Sequence, residues 1–144
     1  KYEYVATLDS KTTPICQRLD GQQFEYNKGP TPPQHFNCRS TTVPVVDFDG
    51  LQEKYPGLEK PPETALDTRP SMTGRVPQGQ AYGDWLLDQK KEIQIKTLGN
   101  EQRVRFFKTL AGKKGSSGQK ALRQIIRSDG TEKTLDQIKK EYKL

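Results

Sequence analysis

Three prolines in four residues, Pro30, Pro32 and Pro33, follow Gly29 and constrain this chain more than any other stretch. Each proline fixes φ and removes a backbone donor, so neither a helix interior nor a central strand can run through them. The segment has to be an extended connector, and what lies on either side must be held together by other residues. Upstream, Tyr2 to Leu8 alternates β-forming residues and stops at Asp9-Ser10, which reads as a strand followed by a turn or cap. Thr12 or Thr13 as N-cap, with Pro14 at the first helical position, predicts a short helix over Pro14 to Leu19 closed by the Asp20-Gly21 turn. Gln22 to Tyr26 returns as a short strand. Beyond the connector, Arg39 to Val46 is the densest β-branched run and reads as the best core strand, with Pro44 placing it at an edge or bulge.

Residues 47–80 are rich in proline and glycine and show little periodicity, which predicts a long loop or extended arm, including Lys60-Pro61-Pro62. From Tyr82 onward the pattern becomes helical. Trp85, Leu86, Ile93 and Leu98 recur at helical intervals up to Gly99, and Arg103 to Ala111 makes a second helix. Gly115-Ser116-Ser117-Gly118 reads as a flexible linker before a helix over Lys120 to Arg127, and Thr134 to Tyr142 closes the chain as a short amphipathic helix. Trp85 is expected as a core anchor. With 31% hydrophobic residues in 144, only a modest core can form. These readings predict one α+β domain: a small antiparallel sheet from residues 1–46, the arm 47–80, and packing helices from 81–144. No apolar run approaches membrane-spanning length and no signal peptide is visible, so no membrane partner is expected. The start at Lys1 suggests a domain cut from a longer polypeptide.

Charge is unevenly placed. The formal net charge of +6 lies wholly in the part after residue 83, where 15 Lys or Arg face 8 Asp or Glu. Lys90, Lys91, Arg103, Arg105, Lys113 and Lys114 are the residues expected to meet phosphates, against the ordinary alternative of a solvated helix surface. Aromatic residues are too thinly spread there for a single-strand stacking groove.

Both cysteines, Cys16 and Cys38, fall in the N-terminal half, and the single histidine, His35, stands three residues before Cys38. Thiolates and an imidazole suit tetrahedral zinc, but a closed structural site takes four ligands, and the fourth would have to be Asp9 or Asp20. A metal, a Cys16–Cys38 disulfide and two reduced thiols all stay open, the last being the ordinary state of small buried cysteines. A catalytic reading gathers His35 as base, Arg39 as phosphate clamp and Thr41 or Thr42 as a positioning hydroxyl, the outline of a small nuclease. No phosphate-binding glycine loop, nucleophile triad or paired-carboxylate motif accompanies it.

Two stretches carry a family resemblance. The first runs Tyr4-Val5-Ala6-Thr7-Leu8-Asp9 to Cys16, then Leu19-Asp20-Gly21, then Pro32-Pro33-Gln34-His35-Phe36-Asn37-Cys38-Arg39. The second holds Tyr82-Gly83-Asp84-Trp85-Leu86, Gln89, Leu98-Gly99 and Arg103. Together they resemble the phage Mu F-like minor head protein, or head morphogenesis, family over about residues 4 to 140. The sequence departs from that pattern where relatives carry further cysteines, at Pro14 and Ser40, and where a proline is common, at Phe36. The resemblance implies a non-catalytic virion component, located in the phage head and in the host cytoplasm during assembly. Its implied partners are portal and major capsid proteins and, nonspecifically, genomic DNA, with a role in packaging or ejection. It implies no cofactor; if zinc were held, the ligands would be Cys16, His35 and Cys38. The motif residues it singles out are Asp9, Thr13, Cys16, Asp20, Gly21, His35, Asn37, Cys38 and Arg39. Asp9 with Thr12 or Thr13 would fix the strand-to-helix corner, and Asn37 and Arg39 would bond loop backbone. The two cysteines would draw the short helix against the Arg39 to Val46 strand.

Overall fold

Strand β1 (Tyr2–Val5) is the centre of a three-stranded antiparallel sheet, flanked by β2 (Gln23–Phe24) and β3 (Thr41–Pro44). The computed structural model describes residues 1–45, 48–59 and 68–144, with the Phe48 side chain left aside. Helix α1 (Pro14–Leu19) starts at Pro14, as a proline at the first helical position favours, and Thr13 stands at its N-cap without a side-chain cap bond. The remaining elements are α2 (Phe48–Lys54), a β4–β5 antiparallel pair (Thr68–Arg69 and Val76–Pro77), α3 (Tyr82–Leu87), α4 (Lys91–Leu98), α5 (Glu101–Ala111), α6 (Gly118–Ile125) and α7 (Leu135–Tyr142). The architecture is α+β, with helices and small antiparallel sheets.

Several expectations need correction. The β-branched run lies at an edge, as Pro44 indicates, but it is not a core strand: the residues of β3 are exposed or half-buried. β-branching favours a pleated backbone but does not report burial, and the alternate residues Tyr2 and Tyr4 of β1 are the buried ones. Val46, the last residue of that run, and Lys60-Pro61-Pro62 lie outside the described residues. The arm is not wholly extended, since α2 and the β4–β5 pair lie within it. The helix expected from Tyr82 to Leu98 is two helices. Gln94 explains the break: its side-chain amide donates to the Leu86 and Leu87 carbonyls at 3.0 and 3.1 Å, terminating α3 from within α4. The Gly115–Gly118 stretch is not a flexible linker. Ser117 caps α6 by accepting from Lys120 N, and Gly118 is buried. A Cβ on Gly83 would lie 2.4 Å from Gly118 O, and one on Gly118 2.3 Å from Gly83 O, so the two glycines let α3 and α6 meet backbone to backbone.

The larger core cluster packs Trp85, Tyr82 and Leu86 of α3 against Phe107 and Leu110 of α5, Leu122 and Ile125 of α6 and Ile138 of α7, and it includes Leu8 from the N-terminal segment. Trp85 is fully buried, as its role as an anchor predicts. A smaller cluster holds Tyr4, Ala6, Cys16 and Leu19. Polar bonds join the two. Gln119 donates to the Gln17 carbonyl at 2.8 Å and accepts from Gly83 N at 2.6 Å, while Arg18 donates to the carbonyls of Arg123 and Ile126 at 2.5 and 2.7 Å. Each helix thus satisfies the exposed carbonyl end of the other.

Asp20 is fully buried and serves four donors at one junction. Its Oδ1 accepts from Ala6 N at 2.8 Å and Arg69 Nη2 at 3.1 Å; its Oδ2 accepts from Tyr82 N at 2.7 Å and Arg69 Nη1 at 3.0 Å. Arg69 also donates to the carbonyls of Ala6 and Gln80. Removing one partner of a buried pair leaves the other charged and unpaired, at a cost of roughly 3–5 kcal/mol. Asp20→Ala is therefore expected to lower unfolding stability by about that amount in urea titration. A loss below about 1 kcal/mol would show that the junction is dispensable.

Candidate functional site

The motif residues converge where the end of the β1 segment, α1 and the loop before β3 meet. Asp9 terminates the N-terminal segment with an Asx turn, accepting from Lys11 N at 2.9 Å, and also accepts from Thr12 Oγ1 at 3.1 Å. Arg39, thirty residues later, binds the same carboxylate with both terminal nitrogens, Nη2 reaching Oδ1 at 2.9 Å and Nη1 reaching Oδ2. A two-pronged pair of this kind fixes orientation as well as distance. Thr7 Oγ1 donates to the Arg39 carbonyl at 3.1 Å, and the Tyr82 hydroxyl donates to the Asp9 carbonyl. The expected strand-to-helix corner is present, with Thr12 rather than Thr13 bonding Asp9. The Arg39 guanidinium grips a carboxylate rather than loop backbone. Asn37 takes a left-handed conformation at φ 59, which asparagine tolerates better than most residues, and the chain turns there between His35 and Cys38.

Behind this corner, Cys16 of α1 faces His35 and Cys38. Cys16 Sγ lies 3.4 Å from His35 Nε2 and 3.7 Å from Cys38 Sγ, and all three ligand atoms fall within 4.8 Å of one another. The sulfurs are free thiols rather than a disulfide. His35 Nδ1 lies 2.8 Å from the Phe36 carbonyl, an acceptor only, so Nδ1 carries a proton and Nε2 is the ring nitrogen that faces Cys16 Sγ. The Tyr4 hydroxyl contacts Cys16 Sγ at 3.4 Å and Cys38 Sγ at 4.0 Å. Burial, then the contact with Cys16, pushes the Tyr4 phenol well above its ordinary range. At Cys38, burial acts to raise the thiol, yet hydrogen bonds from the Gln34 and Ser40 backbone, with the Cys16 and Ser40 side chains, bring it down to about 6.

Neither expected fourth metal ligand is free for that role, since Asp20 is committed to Arg69 and Asp9 to Arg39. Gly21 makes the tight turn after Asp20 at φ 79, and its N–H donates to the Tyr4 carbonyl at 2.9 Å. The constellation imagined for a nuclease does not assemble. His35 and Arg39 line a cavity of about 20 Å³, whereas Thr41 and Arg39 line a separate groove of about 400 Å³ to which His35 does not contribute.

Among the basic residues, Lys90, Lys91, Arg105, Lys113 and Lys114 are exposed. Arg103 is not available to phosphate. It is 8% exposed and donates to the Lys133 carbonyl at 2.8 Å beside Glu132, because its place on α5 faces the core. Lys91 is exposed but pairs with Glu101 at 2.5 Å. Sequence reasoning missed Arg69, Gln119 and the Tyr4 hydroxyl. Arg69 sits in a proline- and glycine-rich stretch with no periodic signal, and nothing in its neighbours announces a buried partner.

Residues 1–43 match the family described as Phage Mu protein F like protein. The N-terminal part of this chain is Mu F-like. The match spans β1, α1, β2, the proline connector and the first residues of β3, and therefore both Asp9–Arg39 and the thiol–imidazole cluster. No curated protein and no solved structure matches the chain. Through this region the chain is similar to a phage head-related family. Among the described residues no helix is long and apolar enough to cross a membrane.

Pairing with Arg39, then the hydrogen bond from Lys11 N and that from Thr12, holds Asp9 below the ordinary carboxylate range despite burial. A carboxylate lowered on folding contributes stability that is complete above its unfolded value, about 3.9, and is lost as pH falls through the folded one. The stability difference between the native chain and Asp9→Asn, measured by urea titration, should be largest at pH 6 and shrink progressively below pH 4. A gap independent of pH would show that the pair contributes through shape alone.

Proposed function

We propose that this domain is a non-catalytic head component of a tailed bacteriophage that acts in head assembly by holding portal and major capsid proteins. The observation that carries the reading is the Mu F-like match over residues 1–43, which covers the clamped corner. Arg39, Asp9, Asp20 and Arg69 spend their charges on one another, as suits a part that keeps its shape under load. The exposed lysines and Arg105 of the C-terminal part support a second contact, nonspecific and electrostatic, with genomic DNA during packaging or ejection. A nuclease centred on His35 and Arg39 gains no support from the geometry, since the imidazole is turned to Cys16 and the guanidinium to Asp9.

Cross-linking within intact heads, followed by mass spectrometry, tests the assembly role. Links from this domain to portal or major capsid protein are expected, and links confined to tail proteins would overturn it. For the DNA contact, duplex affinity should fall linearly on a log–log plot against salt. Replacing Lys90, Arg105, Lys113 and Lys114 with glutamine should flatten that slope by up to about 0.9 for each phosphate that is no longer neutralised. No binding by the native chain at low salt would remove DNA from the proposal.

A further inference from the structure

We propose that Cys16, His35 and Cys38 hold a single zinc ion in a tetrahedral site whose fourth ligand is water. A tetrahedral zinc with bonds of about 2.3 Å to sulfur and about 2.05 Å to nitrogen sets a sulfur–sulfur edge near ~3.8 Å and a sulfur–nitrogen edge near ~3.6 Å. The structure has Cys16 Sγ–Cys38 Sγ at 3.7 Å and Cys16 Sγ–His35 Nε2 at 3.4 Å. Two of the three ligand-to-ligand edges thus already stand within a few tenths of an ångström of those of a zinc site.

The groups around the ligands suit the metal as well. The Phe36 carbonyl accepts a hydrogen bond from Nδ1–H, which leaves Nε2 as the atom to ligate, the arrangement that orients a metal-binding histidine. The Tyr4 hydroxyl contacts both sulfurs and can donate to a thiolate. Two sulfurs and an imidazole are the donor set that zinc favours over harder cations.

A second observation supplies the fourth position. Cys16 and His35 line a cavity of about 20 Å³, also bordered by Thr13, and the buried Thr13 hydroxyl has no partner among the described residues. A space of that size holds about one water molecule. Water in the cavity would complete the tetrahedron, with Thr13 beside it. The ion would tie α1 to the loop before β3, where the core around Tyr4, Ala6 and Leu19 is small and metal binding would add directly to folding stability.

The test uses the whole chain, purified under reducing conditions and dialysed with and without Zn²⁺. Elemental analysis should find one equivalent of zinc per chain. Replacement by Co²⁺ should give a thiolate-to-cobalt charge-transfer band with tetrahedral visible absorption. Cys38→Ser and His35→Ala should each lose the cobalt signature while circular dichroism confirms folding, and a chelator should lower the melting midpoint of the native chain but not of Cys38→Ser. The proposal is overturned if the native chain retains no zinc and gives no cobalt–thiolate band. It is equally overturned if both variants keep the ion, or if the metal-free chain, its thiols shown reduced by mass spectrometry, melts at an unchanged temperature on zinc addition. Because the readout is metal content and spectrum, it is independent of any assembly role.

Discussion

The buried carboxylate of Asp20 is the constraint on which the arrangement of this chain depends. Its two oxygens draw in the N–H after β1, the first N–H of α3 and both prongs of Arg69, so three distant parts of the sequence meet at one side chain. Desolvating an ion pair is costly, and a buried pair is seldom the strongest way to fill an interior. Its value here is positional: a carboxylate with two donors at each oxygen has little freedom to accept another arrangement. The sheet of the N-terminal half and the helices of the C-terminal half are thereby set in a fixed relation, which Gln119, Arg18 and the Gly83–Gly118 contact extend along α1, α3 and α6.

The corner at Asp9 repeats the same logic nearer the surface. Arg39 closes the loop that leaves α1, passes the proline connector and enters β3, and the thiol–imidazole cluster lies directly behind it. Proline stiffness limits the paths open to the connector, but it does not bring the ends together; the ion pair and the Cys16–His35–Cys38 contacts do. The Mu F-like match over residues 1–43 includes this corner.

Much of the local structure was legible in the residues. Pro14 after two threonines placed α1 at its observed bounds, Gly99 stopped α4, and the closing helix expected from Thr134 to Tyr142 is α7 with Thr134 as its N-cap. The errors share one cause, which is that pattern reports backbone preference and not neighbours. The run before Val46 has the strongest β-propensity and takes the edge that Pro44 indicates, yet its residues are exposed or half-buried rather than core. Apolar spacing from Trp85 to Leu98 continued through a break that Gln94 imposes by capping another helix. Arg103 counted as surface charge until its place on α5 turned it inward.

By itself the sequence determined where the chain could be helical, extended or turned, and which three residues had the chemistry to meet a soft metal. Backbone propensity, proline geometry and side-chain chemistry are properties of residues and their immediate neighbours. Only the tertiary structure decided that Asp20 answers Arg69, that Arg39 answers Asp9, and that two thiols and an imidazole share one small volume. Those pairings span 49, 30 and 22 residues along the chain, and what selects them is the burial of charge and apolar surface, which no local pattern records.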